Sequence, residues 1–144
     1  MMRGGSNVSD AQLQQILSDV PRIINDPKTA DVLVKRAEEL GQKLVTERLR
    51  MAQARDIFDE LRQIESIWLR EPERALRRLH LLRPKLAYRR ARVRELGPLA
   101  EVLERAVAEV VSAGDAAQRH DRFRRLMEFM EAIVAYHKFY GGGD

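Results

Sequence analysis

The sequence predicts an all-α fold, a single-domain bundle of five to six helices. Three observations predict it. Apolar residues recur at three- and four-residue spacing in successive segments. Pro, Gly and Asp punctuate those segments at places suited to helix ends. No segment alternates apolar and polar residues long enough to read as a strand.

Residues 1–8 are small, polar and Gly-containing, which predicts a disordered tail ahead of a helical domain over residues 9–144. Ser9 is placed to cap a short first helix carrying Ala11, Leu13, Ile16, Leu17 and Val20, limited by Pro21. Asp26-Pro27 resembles an N-cap followed by proline in the first turn. It opens a second helix through Val32, Leu33, Ala37 and Leu40, with Gly41 near its end. A third helix covers Arg50 to Leu69, with Ala54, Ile57, Phe58, Leu61, Ile64 and Trp68 on one side. Pro72 opens a fourth with Ala75, Leu76, Leu79 and Leu82, and Pro84 predicts a kink or restart within it. The basic segment continues to Leu96, where Gly97-Pro98 is a stop-and-start signal. The fifth helix carries Leu99, Val102, Leu103, Ala106, Val107 and Val110, and Gly114 ends it. Asp115 is placed to cap the last helix, in which Phe123, Leu126, Met127, Met130 and Ile133 share a face. Gly141-Gly142-Gly143 terminates that helix.

The chain has 144 residues and no cysteine, which removes disulfides and thiolate metal sites. Its longest unbroken apolar run, Ala132 to Tyr136, is far too short to span a bilayer, and the N-terminus lacks a signal-peptide core. The expected location is therefore cytoplasmic, with no membrane partner.

Charge is the informative feature. Arg83 to Arg94, RPKLAYRRARVR, holds six cations in twelve positions and no acid. From Arg70 to Arg94 ten Arg/Lys face two Glu, a local net of +8, whereas the whole chain carries +4. Like charges at helical spacing repel, so such a segment costs stability unless something anionic relieves it. On a wheel of about 100° per residue, Tyr88, Arg89 and Arg92 fall within about 60° of Lys85. Leu82, Leu86 and Val93 form an apolar seam beside this strip, and Arg83, Arg90 and Arg94 lie beyond the seam. Guanidinium groups bind phosphate bidentately, and an aromatic ring among them can stack on a base without regard to sequence. The plainer reading is a solvated face, with Glu95, Glu101 and Glu104 within reach to neutralise part of it. A second basic cluster, Arg119 to Arg125, occupies the first turns of the last helix, where cations oppose the helix dipole and so hint at a partner.

No catalytic constellation is visible. His80 sits among leucines and reads as packed or at a rim, His120-Asp121 is a lone dipeptide, and His137 lacks HExxH spacing. The serines have no base at an identifiable spacing, and no glycine loop precedes a helix to cradle phosphate. No cofactor and no metal ligand set is expected.

Two stretches carry a family resemblance: Leu82 to Arg92, LRPKLAYRRAR, and Glu131 to Gly142, EAIVAYHKFYGG. Together they resemble the small helical subunit of the type III-A CRISPR effector, the Csm complex. A weaker match lies at Leu49 to Arg55, where Gln53 and Arg55 fit a Gln-x-Arg pattern but Arg50, Met51 and Ala52 replace a hydroxyl-rich turn. The likeness covers about the last two-thirds of the chain, and residues before Asp26 show none.

The resemblance implies a non-enzymatic subunit. Its copies would line up beside the backbone subunits as an inner filament and hold crRNA or target RNA by the phosphate backbone, while pairing supplies specificity. The implied partners are that RNA, the backbone and large subunits, and neighbouring copies of the chain. Lys85, Tyr88 and Arg92 are the implied RNA contacts, with Arg89 added from the wheel, Arg55 from the Gln-x-Arg match, and Lys138 as a further candidate. Ala132, Ile133, Val134 and Ala135 read as core. Tyr136, His137, Phe139 and Tyr140 read as packing or subunit-docking residues. The rival expectation is a helical scaffold that binds acidic protein partners and touches no nucleic acid.

Overall fold

Among the described residues the apolar stripes at helical spacing become six α-helices, and all contribute to one continuous hydrophobic core. The computed structural model describes the backbone of residues 3–143 and the side chains of residues 11–143. The helices are α1 (Arg3–Asn25), α2 (Ala30–Thr46), α3 (Met51–Trp68), α4 (Pro72–Arg92), α5 (Gly97–Val111) and α6 (Ala116–Phe139). A single 3-10 turn, Arg94–Leu96, links α4 to α5, and no strand occurs among the described residues. Of the tail expected over residues 1–8, Met1 and Met2 lie outside the described residues, and α1 runs from Arg3.

Pro21, Pro84 and Gly41 do not break their helices as expected. α1 continues past Pro21 to Asn25. A proline inside a helix costs about 3 kcal/mol. Two of the four residues that follow it in the helix, Ile23 and Ile24, are fully buried, and each contributes roughly 1.5–3 kcal/mol. α4 likewise runs through Pro84 without restarting. Leu82 and Leu86 anchor it on both sides, and His80, whose carbonyl loses its helical partner, faces solvent. The Asp26 cap expectation fails for a local reason. The Asp26 carboxylate accepts from the Lys28 N–H at 2.9 Å, closing a turn. The Thr29 hydroxyl donates back to the Asp26 carbonyl at 2.8 Å, and α2 starts only at Ala30. Gly41 lies inside α2, not at its end. A Cβ there would sit 2.7 Å from the Tyr136 Cβ and 2.8 Å from the His137 nitrogen, so the glycine permits close approach of α2 and α6. Asp115 does cap α6, its carboxylate accepting from the Gln118 N–H at 2.8 Å.

Two helix ends share one closure. At α6 the Gly142 N–H bonds the His137 carbonyl (2.7 Å), the Gly141 N–H bonds the Lys138 carbonyl (3.1 Å), and Gly141 is left-handed at φ 105°. This is a Schellman closure. The same pair of bonds ends α2, Leu49 to Leu44 at 2.9 Å and Arg48 to Val45 at 3.0 Å, with Arg48 left-handed at φ 65°.

Side-chain pairings fix the directions. Glu60 meets Lys85 and Arg89 while Gln63 meets Arg78, so α3 and α4 are antiparallel. Trp68 stacks on Phe123 at 4.4 Å and Met51 bonds Gly143, so α3 and α6 are antiparallel as well. One end of the bundle therefore gathers the start of α3 with the ends of α2, α4 and α6.

Candidate nucleic-acid interface

The Lys85 strip is on the outside. Leu82 and Leu86 are buried and Val93 packs against the core, so the predicted seam turns inward and the strip beside it faces solvent. Tyr88 is 62% exposed. The Arg92 guanidinium donates to the Tyr88 hydroxyl at 3.0 Å and lies 5.8 Å from the ring centroid, so the two side chains brace each other across one turn. Among the described residues neither touches a carboxylate. Pro84, Lys85, Tyr88 and Arg89 line an open depression on this face.

One acid answers the strip from α3. Glu60 gives one oxygen to Lys85 Nζ (2.8 Å) and the other to Arg89 Nη2 (3.2 Å). Its side chain is only 12% exposed, while that of Lys85 is 56% exposed. The carboxylate thus lies beneath the two cations and leaves their outer N–H donors open to solvent. Glu60 does not figure among the acids weighed from sequence. The α3–α4 hairpin is the signal that would have found it, because antiparallel pairing about a tight turn sets residues near 60 opposite residues near 85.

The far ridge is neutralised in part, at Arg90, by two acids of α5. Arg90 pairs with Glu101 (3.2 Å) and Glu104 (3.4 Å), and Arg83 and Arg105 border the same shallow pocket. Arg94 has left the helix and lies in the 3-10 turn.

The structure corrects the reading of the cluster at Arg119 to Arg125. Arg122 donates to the Glu109 carbonyl at 2.7 Å and Arg125 to the Ile24 carbonyl at 2.7 Å. Both acceptors lie in the last turns of α5 and α1, where carbonyls lack helical partners and the dipole is negative. These two cations are partnered by the protein's own helix ends, whereas Arg124 of the same cluster is exposed.

Arg55 and Lys138 are exposed, at the start of α3 and the end of α6. All six predicted contacts therefore gather at one end of the bundle. They do not share one surface: Arg55 sits about 140° around α3 from Glu60. The C-terminal aromatics divide. His137 is fully buried and its Nε2 bonds the Leu49 carbonyl at 2.8 Å, and Tyr136 and Tyr140 are half-buried. Phe139 is 74% exposed, edge-on to Tyr140 at 5.0 Å. Tyr140 donates to Glu38 at 2.5 Å, and that bond, with burial second, raises its phenol above the ordinary value. Ile133 is core, as expected, but Ala135 is exposed. His80 is exposed too, because Leu79 and Leu82 turn inward on either side of it.

The missing hydroxyls before α3 are compensated from a distance. Arg50 makes no side-chain cap, and the Met51 N–H instead bonds the Gly143 carbonyl at 3.0 Å. Among the described residues no group of three His, Asp or Glu converges as a metal site would require, and no helix is long and apolar enough to cross a membrane.

The comparisons with known proteins bear on this arrangement. A family model described as Csm2 Type III-A matches residues 25–143, which takes in α2 to α6 and the glycine closure but only the last residue of α1. No curated protein and no solved structure gives a match. The chain belongs to the Csm2 type III-A family and is a small subunit of the type III-A CRISPR effector, the Csm complex.

Proposed function

We propose that the chain is a non-catalytic subunit that grips the guide or target RNA of the complex by its sugar-phosphate backbone, without sequence preference. In this reading it works in the cytoplasm, copies line up as an inner filament, and other subunits perform the chemistry. Lys85, Tyr88, Arg89 and Arg92 form the grip, and Arg55 and Lys138 are outlying contacts at the same end. The supporting observation is the state of the strip: Tyr88 and Arg92 are exposed with no carboxylate among the described residues, and one largely buried acid, Glu60, is shared by the exposed Lys85 and the half-buried Arg89. An excess of positive charge around an exposed ring suits phosphate contact with sequence-tolerant stacking.

Fluorescence anisotropy with the full chain and unrelated single-stranded RNAs tests it. The double variant Lys85→Glu/Arg92→Glu should lose affinity on every sequence alike. Its log affinity should fall less steeply with log salt, by about 0.7 for each phosphate contact removed. Salt-indifferent binding by the parent chain would overturn the proposal. So would a variant that binds RNA normally yet drops out of the assembled complex, which is the behaviour of a scaffold for acidic protein partners.

A further inference from the structure

We infer that the RNA track is not confined to the C-terminal half of α4 but runs the full length of its outer face, adding Arg74, Arg77, Arg78 and Leu81 to the grip. The inference rests on the backbone-binding function proposed above. With Lys85 as origin and about 100° per residue, these four residues fall within about 80° of it, Arg74, Arg77 and Leu81 on the side of Tyr88 and Arg92 and Arg78 about 20° to the other side, toward Arg89. The structure keeps α4 helical through Pro84, so both halves share one axis and one face. A restart at Pro84 would have set them at an angle.

The charges on this added half are available. Arg77 is exposed and meets no carboxylate among the described residues. Arg78 bonds the neutral Gln63 amide at 3.0 Å and meets no carboxylate among the described residues. Arg74 pairs with Glu71 at 3.3 Å, but the side chains are 62% and 46% exposed, and such pairs contribute little and yield readily. Leu81 is 48% exposed, although the leucines on both sides of it in the helical pattern, Leu79 and Leu82, are buried. It lies seven residues before Tyr88, about 10.5 Å along the helix. The face thus repeats one arrangement twice: cations flanking an exposed apolar surface.

Arg74 to Arg92 spans about 27 Å. At about 3.4 Å of axis per phosphate on one stacked strand, that faces roughly eight phosphates. With Glu60 offsetting one cation, the C-terminal half alone would neutralise two phosphates and the whole face five. The slopes of log affinity against log salt are then about −1.4 and about −3.5.

The experiment compares the full chain with the triple variant Arg74→Gln/Arg77→Gln/Arg78→Gln, using oligouridylate of four and eight nucleotides between 50 and 200 mM salt, with helix content checked by circular dichroism. The expected result is that octamer affinity falls about 100-fold across that range for the parent chain but about 7-fold for the variant. Tetramer binding should stay within about twofold, and a triple Arg→Lys variant should keep the parent slope. If the Gln variant binds the octamer like the parent while Lys85→Glu/Arg92→Glu weakens it, the track ends at Lys85, and this inference falls while the backbone-binding function stands. If neither variant changes RNA binding, both fall.

Discussion

Glu60→Gln should move stability and RNA affinity in opposite directions. Glu60 accepts Lys85 at 2.8 Å and Arg89 at 3.2 Å. A phosphate taken up on the outer side of Lys85 would sit about 3 Å beyond the ammonium, hence about 5.5 Å or more from the Glu60 carboxylate. Two unit charges at that separation repel by about 0.7 kcal/mol at the dielectric of water and by about 3 kcal/mol at an effective value near 20. A Debye length of about 10 Å at 0.1 M salt screens this only in part. Lys85 is more than half exposed, which places the interaction toward the lower figure. Removing the charge should therefore tighten RNA binding about 3- to 10-fold and steepen the salt slope by up to about 0.7. The fold should weaken meanwhile. Two partly exposed ion pairs are lost, at about 0.2–1 kcal/mol each, and the melting temperature should drop by a few degrees. Anisotropy and thermal unfolding on one preparation read both effects. Binding no tighter than that of the parent chain at every salt concentration, with an unchanged slope, would refute the placement of phosphate on the outer side of these cations.

The closure at the C-terminus makes two further predictions. Gly142→Ala should destabilise the chain by about 1–3 kcal/mol, read as a lower denaturant midpoint, because the added Cβ would stand 2.4 Å from His137 Cε1 and Nδ1. Tyr140 has its phenol raised above its usual value of about 10 by the bond to Glu38. A raised acid favours its neutral form in the fold, so its contribution is complete below about pH 10 and is lost as pH climbs through the folded value. Denaturation of the parent chain and Tyr140→Phe should differ by a constant amount up to about pH 9, and the difference should shrink above pH 10.

Helix existence was legible because it rests on apolar spacing, which the core enforces directly. Helix ends were less legible because they rest on competition between a local signal and packing at a distance. Pro21 and Pro84 signal a break, yet Ile23, Ile24 and Leu86 are buried beyond them and hold the helices together. Gly41 signals an end, yet it marks a close approach of α2 and α6. The outward direction of the Lys85 strip was legible from the wheel, since Leu82 and Leu86 define the inner side. The role of the cations at Arg119 to Arg125 was not legible. The partners of Arg122 and Arg125 are main-chain carbonyls of α5 and α1, up to 101 residues away, and nothing in the spacing of charges encodes them.

That contrast bears on what the two hallmark segments do. EAIVAYHKFYGG supplies Ile133 to the core, the buried His137 bonded to Leu49, and a glycine turn that sets the next residue, Gly143, to bond the start of α3. Its constraints are steric: a Cβ at Gly142 collides with His137, and one at Gly41 collides with the α6 backbone. Such a segment is tied to the fold whatever the protein binds. LRPKLAYRRAR differs, because only Leu82 and Leu86 of it are fully buried, and its cations and tyrosine lie outside. Packing explains the two leucines and internal ion pairs explain Arg90. Neither explains an exposed tyrosine braced by an arginine that meets no acid among the described residues. The C-terminal hallmark therefore carries the family's architecture, and the functional argument rests on the few side chains of α4 that the fold itself does not require.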